Sequence, residues 1–141
     1  MNPTLFKDRS RPAQIILGGV IPAAIGVAAG ILIGTSTVGY WAIAGLAAVG
    51  GFIAGFEHQD GWGGADRGVV GGAIYGASLL ITHAIVGTEA KVSLGSFPPL
   101  FAVVTAIIGM FLGAAGGRIA RARRGGGEAA ADPAGELGDG G

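Results

Sequence analysis

Four long apolar runs separated by short polar segments fill most of the chain. Residues 1–12 are polar and carry Lys7, Arg9 and Arg11. The first run covers residues 13–35 without a single charge. A short break, Ser36 to Gly39, leads into a second run over 40–56. The most polar internal segment follows, Glu57 to Arg67, reading EHQDGWGGADR. A third run spans 68–87, and a polar stretch with Glu89 and Lys91 leads to Pro98-Pro99. The fourth run covers 100–117 and stops at Arg118, Arg121, Arg123 and Arg124. The last stretch, Gly125 to Gly141, is mainly Gly, Ala, Asp and Glu.

These lengths predict an all-α, polytopic membrane protein. A helix needs roughly 20 apolar residues to cross about 30 Å of hydrocarbon. The helices of a soluble bundle would repeat polar residues at helical period, whereas these runs are apolar all round. A transmembrane barrel would show alternating segments of about ten residues. The expected organisation is a polar segment over 1–12, a four-helix transmembrane domain over 13–117, and a basic anchor with a disordered tail over 118–141, because the tail has little apolar surface to bury. With the N-terminus inside, the cytoplasmic segments hold Lys7, Arg9, Arg11, Arg67, Arg118, Arg121, Arg123 and Arg124, against Lys91 alone outside. That asymmetry predicts two cytoplasmic termini and a multi-pass protein of the cell (inner or plasma) membrane. The basic start also fits a signal peptide cleaved near Val27-Ala28-Ala29, but the apolar run continues through Leu32 and Ile33, so a retained span is expected.

Composition sharpens the picture. Glycine supplies 30 of the 141 residues, while only 13% are charged. Membrane helices tolerate glycine better than soluble ones do. The glycines also recur every fourth residue, which places them on one helix face. Gly18, Gly26, Gly30 and Gly34 do so with Pro22 in the first span, and Gly51 and Gly55 with Ala47 in the second. Gly64, Gly68, Gly72 and Gly76 do so in the third, and Gly109, Gly113 and Gly117 with Thr105 in the fourth. Such stripes let backbones approach closely where no hydrophobic drive exists between helices. Pro22 predicts a kink. LGGVIPAAIG from Leu17 aligns with VGGAIYGASL from Val70, and VGGFIAG from Val49 with IIGMFLG from Ile107, as in a parallel repeat.

Candidate chemistry is sparse. There is no cysteine, and no GxSxG, HExxH or P-loop pattern, so no catalytic set, cofactor or metal site is expected. His83 is the only ionisable group inside an apolar run, with Ser78 and Thr82 near enough to bond it. Glu57, His58, Asp60 and Asp66 could in principle hold a divalent cation, but their spacing matches no ligand motif. Asp66 is expected to cap the third helix and to pair with Arg67. Net charge is zero, which gives nucleic acid no attraction. Partners are therefore the lipid bilayer, with a second copy or another membrane protein as candidates. The basic cluster after the fourth span suits anionic headgroups.

The segment Ala54 to Ile81 resembles small four-span bacterial and archaeal membrane proteins of unknown function. The elements that carry this are Gly51-Phe52-Ile53-Ala54-Gly55, the polar turn, and Gly64-Ala65-Asp66-Arg67-Gly68 through Gly72. The resemblance implies fold and membrane location only. The expected role is a non-enzymatic scaffold or partner-binding subunit, and the alternative is a small channel, transporter subunit or holin-like pore.

Overall fold

The structure is a computed structural model that describes residues 5–131, with side chains to residue 126. Among the described residues every regular element is a helix and there is no strand. A short 3-10 turn, Phe6–Asp8, precedes four long helices, which we term α1 (Arg11–Thr35), α2 (Thr37–Gly55), α3 (Gly61–Val86) and α4 (Pro98–Ala131). All four are long and apolar enough to cross a membrane.

Capping residues set the helix boundaries, and these differ from the ends of the apolar runs. Ser36 is extended, with φ −148° and ψ 111°, and breaks α1 from α2. Its hydroxyl oxygen accepts from the Gly39 N–H at 3.0 Å, so α2 starts at once, without the longer break expected over Ser36 to Gly39. Asp60 caps α3 in the same way, its carboxylate accepting from the Gly63 N–H at 2.8 Å. This corrects the assignment of the cap to Asp66, which is exposed within α3. The segment expected as a loop, GWGGADR, thus forms the opening turns of α3. Gly87, at φ 68°, ends α3 in the left-handed conformation that suits glycine. Pro98 and Pro99 lie inside the first turn of α4, where a missing N–H costs no helix bond. Helix α4 continues through the arginines to Ala131, although Gly125 and the residues beyond it were expected to be irregular. Residues 132–141 of the expected disordered tail lie outside the described residues.

Helices α3 and α4 form an antiparallel pair in near backbone contact. A Cβ placed on Gly64 would collide with the Gly113 carbonyl, and one on Gly68 with that of Gly109. One on Gly72 would lie 2.9 Å from the Ala106 Cα, and one on Gly76 would lie 2.8 Å from the Ala102 Cα. The fit holds in reverse, with Gly109 against Gly68 and Gly113 against Gly64, while Gly117 meets the Asp60 carbonyl. At that spacing dispersion and Cα–H···O contacts accumulate along the whole seam. The Thr105 hydroxyl adds a bond to the Gly72 carbonyl at 2.9 Å.

Helix α1 docks on α3 in the same manner. Gly26 faces Tyr75 and Ser78, Gly30 faces Leu79 and Thr82, and Gly34 faces Thr88. Ala29, Ile33, Tyr40, Tyr75 and Leu79 form the buried core between α1, α2 and α3. The 87–97 connection is tied back to α1, since Lys91 donates from its backbone to Ile33 at 2.9 Å and from Nζ to Thr35 at 2.8 Å.

Helix α2 is held mainly at its ends. Gly55 packs on Gly113 and Gly116, and Tyr40 is buried beside α1. Gly51 was expected to pack on a neighbour, yet a Cβ there would meet nothing within 4 Å. The reason is that mid-α2 faces a cleft, described below. The two hairpins therefore differ in packing despite their sequence alignment: α3 and α4 are joined along their length, whereas α1 and α2 are not.

Candidate functional site

The antiparallel arrangement collects charged groups at one end of the bundle. There the N-terminal segment folds over the turn between α2 and α3. The Phe6 N–H donates to the Glu57 carbonyl at 2.9 Å, and Arg9 pairs with the Glu57 carboxylate at 2.7 Å. The Phe6 ring stacks on His58 with centroids 5.7 Å apart. His58 Nδ1 lies 3.2 Å from the Ala54 carbonyl, and the His58 carbonyl accepts from Arg124. Arg123 lies over the Phe56 ring, 5.7 Å from its centroid.

These contacts separate the three carboxylates and the histidine singled out in the sequence. Glu57 is engaged by Arg9, His58 by Phe6, Asp60 by the α3 N-terminus, and Asp66 stands apart and exposed. They do not converge on a common point. His83 is half-buried near the far end of α3, and its Nδ1 has no hydrogen-bond partner among the described residues. Ser78 and Thr82, the candidate partners, do not bond it there; those two residues pack on Gly26 and Gly30.

Arg67 is the residue that sequence reasoning missed. It was placed in a solvated turn beside Asp66. The structure puts it in the second turn of α3, half-buried, with its guanidinium reaching α1. It donates to the Gly18 carbonyl at 3.2 Å and also to the Leu17 carbonyl. Both acceptors are consequences of Pro22. Four residues before a proline, a helix carbonyl loses its usual donor, and that residue is Gly18. The helix responds with a π-helical turn over Ile16–Val20, in which the Ile21 N–H bonds Ile16. That shift takes away the donor that would have served Leu17. Two carbonyls are thus left open side by side, and Arg67 fills both. The Arg67 guanidinium also lies 5.3 Å from the Phe6 ring centroid, which adds a cation–π contact. The expected irregularity at Pro22 therefore takes the form of a π turn locked by an arginine.

Above Arg67 a cleft of about 630 Å³ runs between the helices. Its walls are apolar. Pro22 and Ile25 come from α1, Ala47 and Gly51 from α2, Gly72 and Tyr75 from α3, and Thr105 and Ile108 from α4. Glu57 and Arg67 lie at one end, and Tyr40, Trp41 and Phe101 at the other. Small residues on α2 leave the space open, because Gly45, Gly50 and Gly51 all lack a neighbour within 4 Å of a Cβ position. Exposed Ile21, Trp41, Ile53, Val104 and Ile108 line its rim, so the cleft communicates with the surroundings of the bundle. Its size lies within the range of small-molecule sites, roughly 300–1,000 Å³. The Tyr75 hydroxyl is buried without a hydrogen-bond partner among the described residues.

Comparison with protein-family models, curated proteins and solved structures finds no match for this chain.

Proposed function

We propose that the protein is a non-enzymatic, membrane-integral binding protein whose cleft takes up an acyl chain from the surrounding bilayer. The observation that carries this is an apolar cleft of about 630 Å³ with an apolar, exposed rim on helices long enough to span a membrane. In lipid that rim faces hydrocarbon, so an acyl chain enters without crossing water. The role specifies the scaffold or partner-binding subunit expected from the sequence. Its home is the cell membrane, with both termini cytoplasmic. The positive-inside rule supports that orientation, as does the gathering of Arg9, Arg67, Arg123 and Arg124 around the Phe56–Asp60 turn. Retention of the first span is supported by its packing, since Gly26, Ala29, Gly30 and Ile33 are buried in the bundle. A non-enzymatic role is supported by the use of Glu57, His58 and Asp60 in contacts that tie the chain together.

The test is native mass spectrometry of the protein released from mild detergent. One lipid should stay bound per chain. Gly51→Leu, which fills the cleft, should remove it, and Leu46→Phe on the outer face should not. Equal retention by wild type and Gly51→Leu would refute the proposal. The second role is a small pore, favoured by the length of the cleft from Arg67 to Trp41. Ion flux in reconstituted vesicles that is lost on Gly51→Leu would select it.

A further inference from the structure

We infer that the guest of the cleft is an anionic lipid, one chain between the helices and its negatively charged head on Arg67; this rests on the binding role proposed above. The argument is one of charge. Glu57, the only acidic residue lining the cleft among the described residues, pairs with Arg9 at 2.7 Å. Arg67 forms no ion pair of its own among the described residues, although the charge of Glu57 also reaches it. Its bonds go to two uncharged carbonyls, Leu17 and Gly18, and it also lies over the Phe6 ring. Arg9 and Arg67 together thus set two positive charges against the one carboxylate of Glu57, leaving this end of the cleft with one net positive charge.

The guanidinium is also free to do more. It has five N–H donors, and those bonds use two among the described residues. The remaining donors belong to a group that lines the cleft. A cation that is half-buried beside hydrocarbon is costly unless an anion or water satisfies it. A phosphate or carboxylate head answers that cost with charge-assisted bonds. The depth is suitable as well. Arg67 directly precedes the apolar run of α3, next to the polar turn, and a lipid head resides at such a boundary. Because Pro22 and the π turn fix two of its bonds, Arg67 is held in place before any lipid arrives.

The experiment measures retention of two phospholipids with identical acyl chains, phosphatidylglycerol and phosphatidylcholine, by native mass spectrometry of the full chain. Wild type should retain the anionic lipid about tenfold more strongly, the equivalent of one charge-assisted contact of about 1.4 kcal/mol. Arg67→Gln should bring that ratio close to one. The double variant Arg118→Gln/Arg121→Gln should keep it. Equal retention of both lipids by wild type, with loss of both in Gly51→Leu, would overturn the charge inference and leave the cleft as a binding site. Retention unaffected by Gly51→Leu would overturn both. A preference that survives Arg67→Gln but vanishes in the Arg118/Arg121 variant would place the head on α4 and contradict the assignment to Arg67. If Arg67→Gln fails to fold, equal retention of the two lipids by wild type, or loss of the preference in the Arg118/Arg121 variant, still overturns the inference.

Discussion

Arg67 and Pro22 act as one unit, and their coupling is measurable. Removing the guanidinium by Arg67→Gln leaves the Leu17 and Gly18 carbonyls without their donor, which should cost about 1–3 kcal/mol in reversible unfolding in mixed micelles. Pro22→Ala returns an N–H in register with Gly18. The Arg67→Gln loss should therefore be smaller in that background, with a coupling of about 0.5–3 kcal/mol in the double-mutant cycle. Strict additivity would show that Pro22 does not create the need for Arg67. The caps give a second contrast. Asp60→Ala should cost about 0.5–2 kcal/mol through the lost bond to Gly63, while Asp66→Ala should stay within about 0.5 kcal/mol, measured in the same way. These two aspartates also show where sequence reading stops. The apolar run starts at Gly68, so Asp66 looks like the cap. The helix itself starts two turns earlier, because Gly64 and Ala65 are buried where α3 meets α4. The edge of an apolar run marks where hydrocarbon would begin, not where hydrogen bonding begins.

At the level of the helices, the four-residue glycine spacing is a packing code, and it was legible except for partner identity. Gly26, Gly30, Gly34, Gly55, Gly68, Gly72, Gly76, Gly109, Gly113 and Gly117 all meet an opposing backbone or side chain. Gly51 shares the spacing but faces space. Spacing fixes which residues share a face, whereas the placement of the neighbouring helices decides whether one of them reaches that face. Gly68→Ala or Gly109→Ala should lower stability by about 1–3 kcal/mol, because each Cβ would force the α3 and α4 backbones apart. Gly19→Ala, with nothing within 4 Å, should be neutral or stabilising by up to about 1 kcal/mol. Thermal unfolding in detergent orders the three variants. A Gly68→Ala protein as stable as Gly19→Ala would mean that α3 and α4 are not in backbone contact.

For the molecule as a whole, the number of helices and the grouping of charges at one end were legible from run lengths and basic residues. The cleft was not. It arises because α3 and α4 close on each other and α1 closes on α3, leaving α2 to bridge what remains, and no spacing within a single helix encodes that. Orientation is checked by placing a cysteine at Ser93, in the connection that Lys91 ties to α1. It should react with an impermeant maleimide from outside intact cells; labelling only after lysis would reverse the topology. Occupancy of the cleft is the central claim. Solution NMR in perdeuterated detergent, with one protonated lipid as guest, tests it most directly. Nuclear Overhauser contacts from acyl methylenes should reach the methyl groups of Ile25, Ala47 and Ile108, which line the cleft from three helices. Contacts confined to outward-facing methyl groups such as those of Leu46 and Ile107, with none at Ile25 and Ala47, would contradict it.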